Sequence, residues 1–141
     1  MNAQENILLI RKVYEAFGRG DIQTILNNLT DDVDWISEGP STVAYYGRMA
    51  GPEQVRQRFF DGLTGTQENM KLTMDEFVAQ GDKVATLGRY KATVKATGKQ
   101  FDTPVAHMFT IRDGKIARLV NLNDTAAVAE AYAGASAAAA G

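Results

Sequence analysis

The sequence lacks cysteine entirely and contains a single histidine, His107, among 141 residues. Without cysteine there is no disulfide framework, no thiolate nucleophile and no cysteine-based zinc site. A catalytic zinc ion takes two or three nitrogen or sulfur ligands, and one histidine does not supply them. We therefore predict that the protein has no metal site.

Long apolar runs and basic runs are also missing. No segment approaches the roughly 20 apolar residues that a membrane-spanning helix needs, and the polar N-terminus has no signal-peptide pattern. The formal net charge is −2 at pH 7, and without a basic run the sequence has no positive patch to attract nucleic-acid phosphates. We expect a cytoplasmic protein that binds neither membranes nor nucleic acid.

The first half of the sequence has the apolar spacing of helices. Apolar residues recur at helical intervals over residues 3–18, and Asp21 is placed to cap a second helix. A short strand is predicted at 33–37, followed by a loop over 38–50. Pro52 suits the first turn of a third helix.

From residue 70 onwards the apolar residues alternate with a period of two, as in half-buried strands. Tight-turn residues such as Asp113-Gly114 separate a first strand from three more at 83–96, 100–112 and 115–123. A last helix begins at Thr125. Helices gathered on one face of an antiparallel sheet define an α+β fold. We predict one domain over residues 1–130 and a frayed alanine-rich tail over 131–141.

His107 lies on an alternating apolar face of the 100–112 strand. Burial lowers the pKa of a histidine, which keeps the ring neutral with one nitrogen donating and the other accepting. A core histidine bonded to a backbone carbonyl or a tyrosine gives the same pattern, and the residues alone favour neither interpretation. Both faces of this strand are largely apolar, so we expect helices to cover one and a second subunit of a homodimer to cover the other.

The last strand ends in polar residues. Asn121 lies on a neighbouring strand and is within reach of His107 if the register allows, and a mid-strand amide needs partners for its donor and its acceptor. Asp124 precedes the final helix, where the alternative to a catalytic role is an N-cap.

Four other residues are candidate ligand contacts. Trp35 suits a pocket wall or the core, and its indole N–H needs a partner in either place. Tyr14, and Tyr45 or its neighbour Tyr46, offer phenolic hydrogen bonds to a carbonyl. Arg89 lies mid-strand, where an arginine more often pairs with a carboxylate than holds a substrate.

Six short segments taken in order resemble the SnoaL-like polyketide cyclase family of the ketosteroid isomerase/NTF2-like superfamily. The likeness runs from about residue 5 to 130, and its segments are YEAFGRGD (14–21), DDVDW (31–35), YYG (45–47), GRYKAT (88–93), AHMFTIRDGKI (106–116) and NDT (123–125). The resemblance implies a cone-shaped, cystatin-like fold. A curved antiparallel sheet would wrap over about three N-terminal helices, with a short C-terminal helix and a homodimer formed through the sheet.

The resemblance also implies a pocket without a cofactor. In the cyclases, a histidine on the penultimate strand and an aspartate on the last strand act on an enolisable polyketide. His107 matches the histidine, and the aspartate falls on Asn121 or Asp124, depending on the register.

Two hypotheses about function follow. In the first, an isomerase or cyclase moves a proton next to a carbonyl, with His107 as the polarising or proton-shuttling group, Asp124 as the base, and Asn121 with a tyrosine as oxyanion donors. In the second, the protein only binds an apolar small molecule or serves as a scaffold dimer.

Overall fold

The structure is a computed structural model that describes residues 2–134. Within these residues, five α-helices and six strands follow one another. The helices are α1 (Ala3–Gly18), α2 (Ile22–Asn27), α3 (Gly51–Gln54), α4 (Asp61–Thr66) and α5 (Thr125–Tyr132), with a π-helical turn at Val55–Phe60 joining α3 to α4. The strands are β1 (Leu29–Ser37), β2 (Gly47–Ala50), β3 (Gln67–Gln80), β4 (Lys83–Val94), β5 (Gln100–Arg112) and β6 (Lys115–Asn123).

The predicted α+β class is confirmed. Helix α1 packs along one face of the sheet, chiefly against β3 and β4. Its first turn is closed by a capping box in which Asn2 accepts from the backbone N–H of Glu5 at 2.8 Å. Asp21 caps α2 as predicted, accepting from the backbone N–H of Thr24 at 3.1 Å.

The sheet is mixed, whereas the prediction was wholly antiparallel. Its strand order is β2-β1-β6-β5-β4-β3, and β1 runs parallel to β6 while the other neighbours are antiparallel. The four-strand meander from β3 to β6 agrees with the predicted alternation. The hairpin between β5 and β6 turns at Asp113 and Gly114, which have φ angles of 52° and 75° as a primed turn requires.

Two elements differ from the prediction. The predicted 38–50 loop contains β2, a four-residue edge strand in which Met49 alone is buried. Strand β3 begins at Gln67, three residues before the period-two pattern becomes visible, because Asn69 interrupts it with a φ of 54°.

Helix α5 extends to Tyr132, past residue 130, where the predicted domain ends. Ala131 is buried, and the Tyr132 hydroxyl contacts Thr66 and Gln67 in the interior. The end of the predicted tail, residues 135–141, lies outside the described residues. None of the described helices is long and apolar enough to cross a membrane.

Candidate functional site

A cavity of about 80 Å³ lies between the concave face of the sheet, α1 and the π-helical turn. Most of its lining is apolar, including Phe59 and Phe60 from the turn. Within residues 2–134, no aspartate, glutamate, lysine or arginine lines it. The polar lining groups are Tyr14, Trp35, Tyr45, Tyr90, His107, Asn121 and Asn123.

His107 sits on the inner face of β5, opposite Thr86 of β4 and Asn121 of β6. Its Nδ1 lies 2.7 Å from the hydroxyl of Tyr14, which α1 projects toward the sheet. The same hydroxyl lies 2.6 Å from Thr86 Oγ1. These four residues, Tyr14, Thr86, His107 and Asn121, form what we call the His107 cluster.

Burial controls the charge of the cluster. It lowers the pKa of His107 from 6.5 to about 4, and the Asn121 side chain across the strand pair acts in the opposite direction. Burial also raises the pKa of Tyr14, while the hydrogen bond with Thr86 acts in the opposite direction. Both groups are therefore neutral at pH 7, as predicted for His107.

Two buried polar atoms at this cavity have no hydrogen-bond partner among the described residues. Asn121 donates from Nδ2 to Ser37 Oγ at 3.0 Å, but its Oδ1 is unpaired. The indole N–H of Trp35 is also unpaired. Trp35 lies opposite Leu119, one inner-face position from Asn121 on β6. An unpaired buried donor or acceptor costs about 1–3 kcal/mol. A ligand removes that cost if one of its oxygen atoms accepts from the Trp35 indole and a hydroxyl group donates to Asn121 Oδ1.

Asp124 does not line the cavity. It is exposed, and its carboxylate caps α5 by accepting from the backbone N–H of Ala127 at 3.1 Å. Its own backbone N–H donates to Thr103 Oγ1 at 2.9 Å. These bonds show Asp124 acting as the N-cap of α5, which is the alternative to a catalytic role that the sequence left open.

Arg89 also lies away from the cavity, on the outer face of the sheet. Its Nε donates to Asp102 Oδ1 at 2.8 Å, across the β4–β5 pair, and both side chains are about half exposed. The strand alternation sends the adjacent Tyr90 inward instead. The structure therefore places at this position the carboxylate pairing that a mid-strand arginine favours, and not a ligand contact.

Tyr45 belongs to a second polar group that the sequence did not reveal. Gln67 is 1% exposed and bonds to the hydroxyls of three tyrosines, two of which line the cavity. We call this group, Tyr45, Gln67, Tyr90 and Tyr132, the Gln67 cluster. The alternation of β4 separated Tyr90 from Arg89 without showing which of them faces inward, and Gln67 precedes the visible strand pattern.

The predicted site residues thus separate into two sets. Trp35, Tyr14, Tyr45, His107 and Asn121 line one cavity, whereas Asp124 and Arg89 lie outside it. Residues 2–134 contain no group of three His, Asp or Glu side chains placed to hold a metal ion.

Comparison with known proteins matches this chain to a protein family and to relatives of similar length. Residues 10–119 match the family model of the SnoaL-like domain. An uncharacterised protein of Mycobacterium tuberculosis is 24% identical over 132 residues, covering 94% of this chain and 98% of its own.

Solved structures extend the likeness. An NTF2-like protein of unknown function from Burkholderia pseudomallei superposes with a TM-score of 0.86 at 26% identity, covering 94% of this chain and 99% of its own. TerC, co-crystallised with polyporic acid, has a TM-score of 0.82 at 28% identity over 91% of this chain and 98% of its own. The predicted NTF2-like fold is confirmed.

Proposed function

The chain belongs to the SnoaL-like domain family, and we propose that its pocket moves a proton next to the carbonyl of a neutral, largely apolar ligand without a cofactor. The observation that carries this proposal is the neutral Tyr14–His107 pair in an apolar cavity. The crystallisation of TerC with polyporic acid supports a small organic molecule as the ligand class.

The cavity sets a limit on how that ligand enters. An engineered apolar cavity of about 150 Å³ accommodates benzene, whereas this cavity measures about 80 Å³. A ligand of one or more rings therefore requires the walls to move apart. Because no charged residue within 2–134 lines the cavity, a neutral ligand loses less on desolvation than an anion.

The role of His107 depends on which ring nitrogen carries the proton. If Tyr14 donates to Nδ1, the proton is on Nε2, and His107 acts as a donor that polarises a carbonyl. If Nδ1 carries the proton and donates to Tyr14, which then donates to Thr86, Nε2 is free to accept a proton. The Tyr14 hydroxyl lies close enough to both partners for either arrangement.

The proton shift uses the second tautomer. His107 Nε2 takes a proton from the carbon next to the carbonyl, and the C–H electron pair forms an enolate. The unpaired indole N–H of Trp35 stabilises the enolate oxygen, and Asn121 Oδ1 accepts from the new imidazolium N–H. The imidazolium then returns the proton to the same carbon or, where a C=C bond of the ligand is conjugated with the enolate, to the far carbon of that system, so no external reactant is consumed. A base with a pKa of about 4 restricts the reaction to C–H bonds already acidified by the ligand.

A second candidate function is binding without turnover. It is favoured by Asn121, which stands at one of the two positions where the resemblance would place the acid/base aspartate. An amide holds and orients a ligand but does not act as a general acid or base at neutral pH.

Proton exchange in heavy water separates these functions. Ketones and 1,3-diketones are incubated with the protein in D₂O, and deuterium incorporation next to the carbonyl is followed by NMR. We expect incorporation above the buffer rate for wild type, and loss of that excess in His107→Ala even at ligand concentrations that saturate the variant. Binding of these ligands with buffer-rate exchange in wild type would favour the second function.

We also propose that the protein is a homodimer formed through the outer face of the sheet. On that face Leu87 and Leu122 flank Ala106, with Met108 two residues along β5, and the three large side chains are 41–59% exposed in the single chain. Light scattering at micromolar concentration tests this, because it separates the mass of one chain from that of two. The cytoplasmic location remains a prediction, which fractionation of cells expressing the tagged protein tests.

A further inference from the structure

One side of the cavity lies between α1 and β3, which run in opposite directions along each other. Near the start of α1, Asn6 Nδ2 donates to the carbonyl oxygen of Gly81, just beyond the end of β3, at 3.3 Å. Eight residues further along the helix, the Tyr14 ring packs edge-on against Phe77, with 5.9 Å between the ring centroids. Phe17 lies about 4.5 Å beyond Tyr14 along the helix axis, which brings it toward the first half of β3.

Partial contact with solvent marks this side of the cavity. Within the described part of the chain, Phe17 in the last turn of α1 and Leu72 on β3 are the half-buried members of the apolar lining, and the other apolar lining residues are buried. Met70 and Met74, the neighbours of Leu72 on the inner face of β3, are half-buried without lining the cavity. Leu72 therefore lies at the boundary between the cavity and the surface.

Apolar side chains alone close this side. No hydrogen bond joins α1 to β3 within residues 2–134, and β3 is an edge strand that pairs only with β4. The helix itself is held in place, because Tyr14 bonds to His107 on the sheet. Rotation of the Phe17 and Leu72 side chains therefore opens the cavity without moving the helix or the strand.

A second way in, beside Asn123, is closed more firmly. Asn123 also lines the cavity and is half-buried, but the Tyr46 hydroxyl donates to its Oδ1 at 3.2 Å. Tyr46 is buried, and its ring packs so closely on Gly39 that an added Cβ there would overlap it. Entry beside Asn123 breaks a hydrogen bond and moves a buried ring, whereas entry between α1 and β3 does neither.

We propose that Phe17 and Leu72 form the gate through which the ligand enters, and that this gate determines which ligand shapes reach His107. With the helix and the strand held in place, the opening is a slot about as wide as one side chain. A flat ring passes such a slot edge-on, whereas a globular group of the same size requires the backbone to move. The ligand class is therefore narrowed to flat, neutral ketones. This inference rests on the proposed function, because it takes a ketone to occupy the cavity beside His107.

Two methyl ketones with the same number of carbon atoms test the gate. 2-Acetylnaphthalene is flat, and 1-acetyladamantane is globular. Trp35 is the only tryptophan of the chain and lines the cavity, so stopped-flow fluorescence follows the arrival and the loss of each probe. We expect the flat probe to associate with wild type about tenfold faster, since association rates of related complexes differ by about one to three decades.

Opening the gate from either side should remove that difference. Leu72→Ala and Phe17→Leu should each raise the association and dissociation rates of the globular probe by about tenfold. The ratio of the two rates, which gives the affinity, should change less than either rate. The matched control is Leu63→Ala, which removes the same atoms as Leu72→Ala from a buried part of the cavity wall. It should alter dissociation but leave both association rates within about twofold of wild type.

The outcomes separate the gate from the function beneath it. Equal association rates of the two probes in wild type, or rates that neither gate variant changes, would overturn the inference. Acceleration by Tyr46→Phe without acceleration by the gate variants would also overturn it, because the entrance would then lie beside Asn123. In these cases proton exchange that depends on His107 would leave the proposed function standing. The expected rates with exchange at the buffer rate would overturn the proton transfer and keep the gate, and failure of wild type to bind either probe would overturn both.

Discussion

The His107 cluster and the Gln67 cluster differ in how firmly their protons are placed. In the Gln67 cluster, the Gly62 carbonyl fixes the direction of each bond from Thr66 to Tyr90. In the His107 cluster, Tyr14 lies between Thr86 and Nδ1 and can donate to either. A cluster whose hydroxyl protons are fixed suits recognition of one ligand geometry. A cluster in which Tyr14 can donate to either neighbour, with almost no movement of heavy atoms, suits proton transfer.

Removing the centre of the fixed cluster should have the largest effect on stability. Gln67→Leu leaves the Tyr90 proton without its acceptor and removes the donor to Tyr45 and Tyr132. With about 1–3 kcal/mol for each buried group left unpaired, we expect a loss of about 4 kcal/mol in the free energy of unfolding. Urea unfolding followed by circular dichroism measures it. Gln100→Leu, at an exposed strand position, is the matched control and should change stability by less than about 0.5 kcal/mol; similar losses in both variants would contradict the assignment.

The His107 cluster should instead show itself in the pH dependence of stability. The pKa of His107 falls from 6.5 to about 4 on folding, so between these values the unfolded chain binds a proton that the folded chain does not. The free energy of unfolding should therefore decrease by about 3 kcal/mol as pH falls from 6.5 to 4, and this contribution should level off below 4.

His107→Gln isolates that contribution, because the chain has one histidine. Unfolding curves of both proteins at several pH values give the difference, which cancels the titration of the carboxylates. A difference that is independent of pH would show that His107 is not buried neutral.

Tyr14→Phe tests whether the tyrosine holds the histidine in place. The variant removes the bonds to His107 Nδ1 and Thr86 Oγ1 and should lower the free energy of unfolding by about 1.5 kcal/mol. Proton exchange into the ligand should fall as well, because Nδ1 loses its partner. Unchanged exchange in a folded variant would remove Tyr14 from the proposed reaction.

Substitutions at Asp124 should have the smallest effect on stability. They also test whether a carboxylate takes part in the proton exchange at the His107 cluster. Asp124→Ala removes the cap of α5 and should lower stability by about 1 kcal/mol, whereas Asp124→Asn retains a capping side chain. Neither variant should alter proton exchange. Loss of exchange in Asp124→Asn, with stability retained, would restore Asp124 as the base.

The part of the site that the sequence predicted best is the pairing of His107 with Asn121, because a tight turn joins their strands and strand alternation gives their faces. The Asp113-Gly114 turn makes β5 and β6 neighbours, so Asn121 was expected within reach of His107, and the two are cross-strand partners. Strand alternation puts the neighbours Arg89 and Tyr90 on opposite faces of β4, but alternation alone does not say which one faces inward. Gln67 escaped notice because the irregular backbone at Asn69 separates it from the alternating pattern.

Other features depend on contacts between distant parts of the chain. No local pattern distinguishes β1 beside β6 from β1 at a free edge, so the parallel pairing was not predicted. The polar end of β6 is compatible with both an N-cap and a catalytic acid, and the bonds of Asp124 to α5 and Thr103 decide its orientation.

The parallel pairing of β1 with β6 also constrains when the sheet can be completed. β1 ends at Ser37, and its partner strand starts at Lys115. During synthesis, β1 can pair with β2 on one side, but its other edge remains open until the last strand leaves the ribosome. Pairings this distant in sequence slow folding, and an open strand edge is a site for association with other chains. The nascent chain is therefore most exposed to aggregation just before β6 emerges from the ribosome, and shielding of β1 by a chaperone would matter most in that interval.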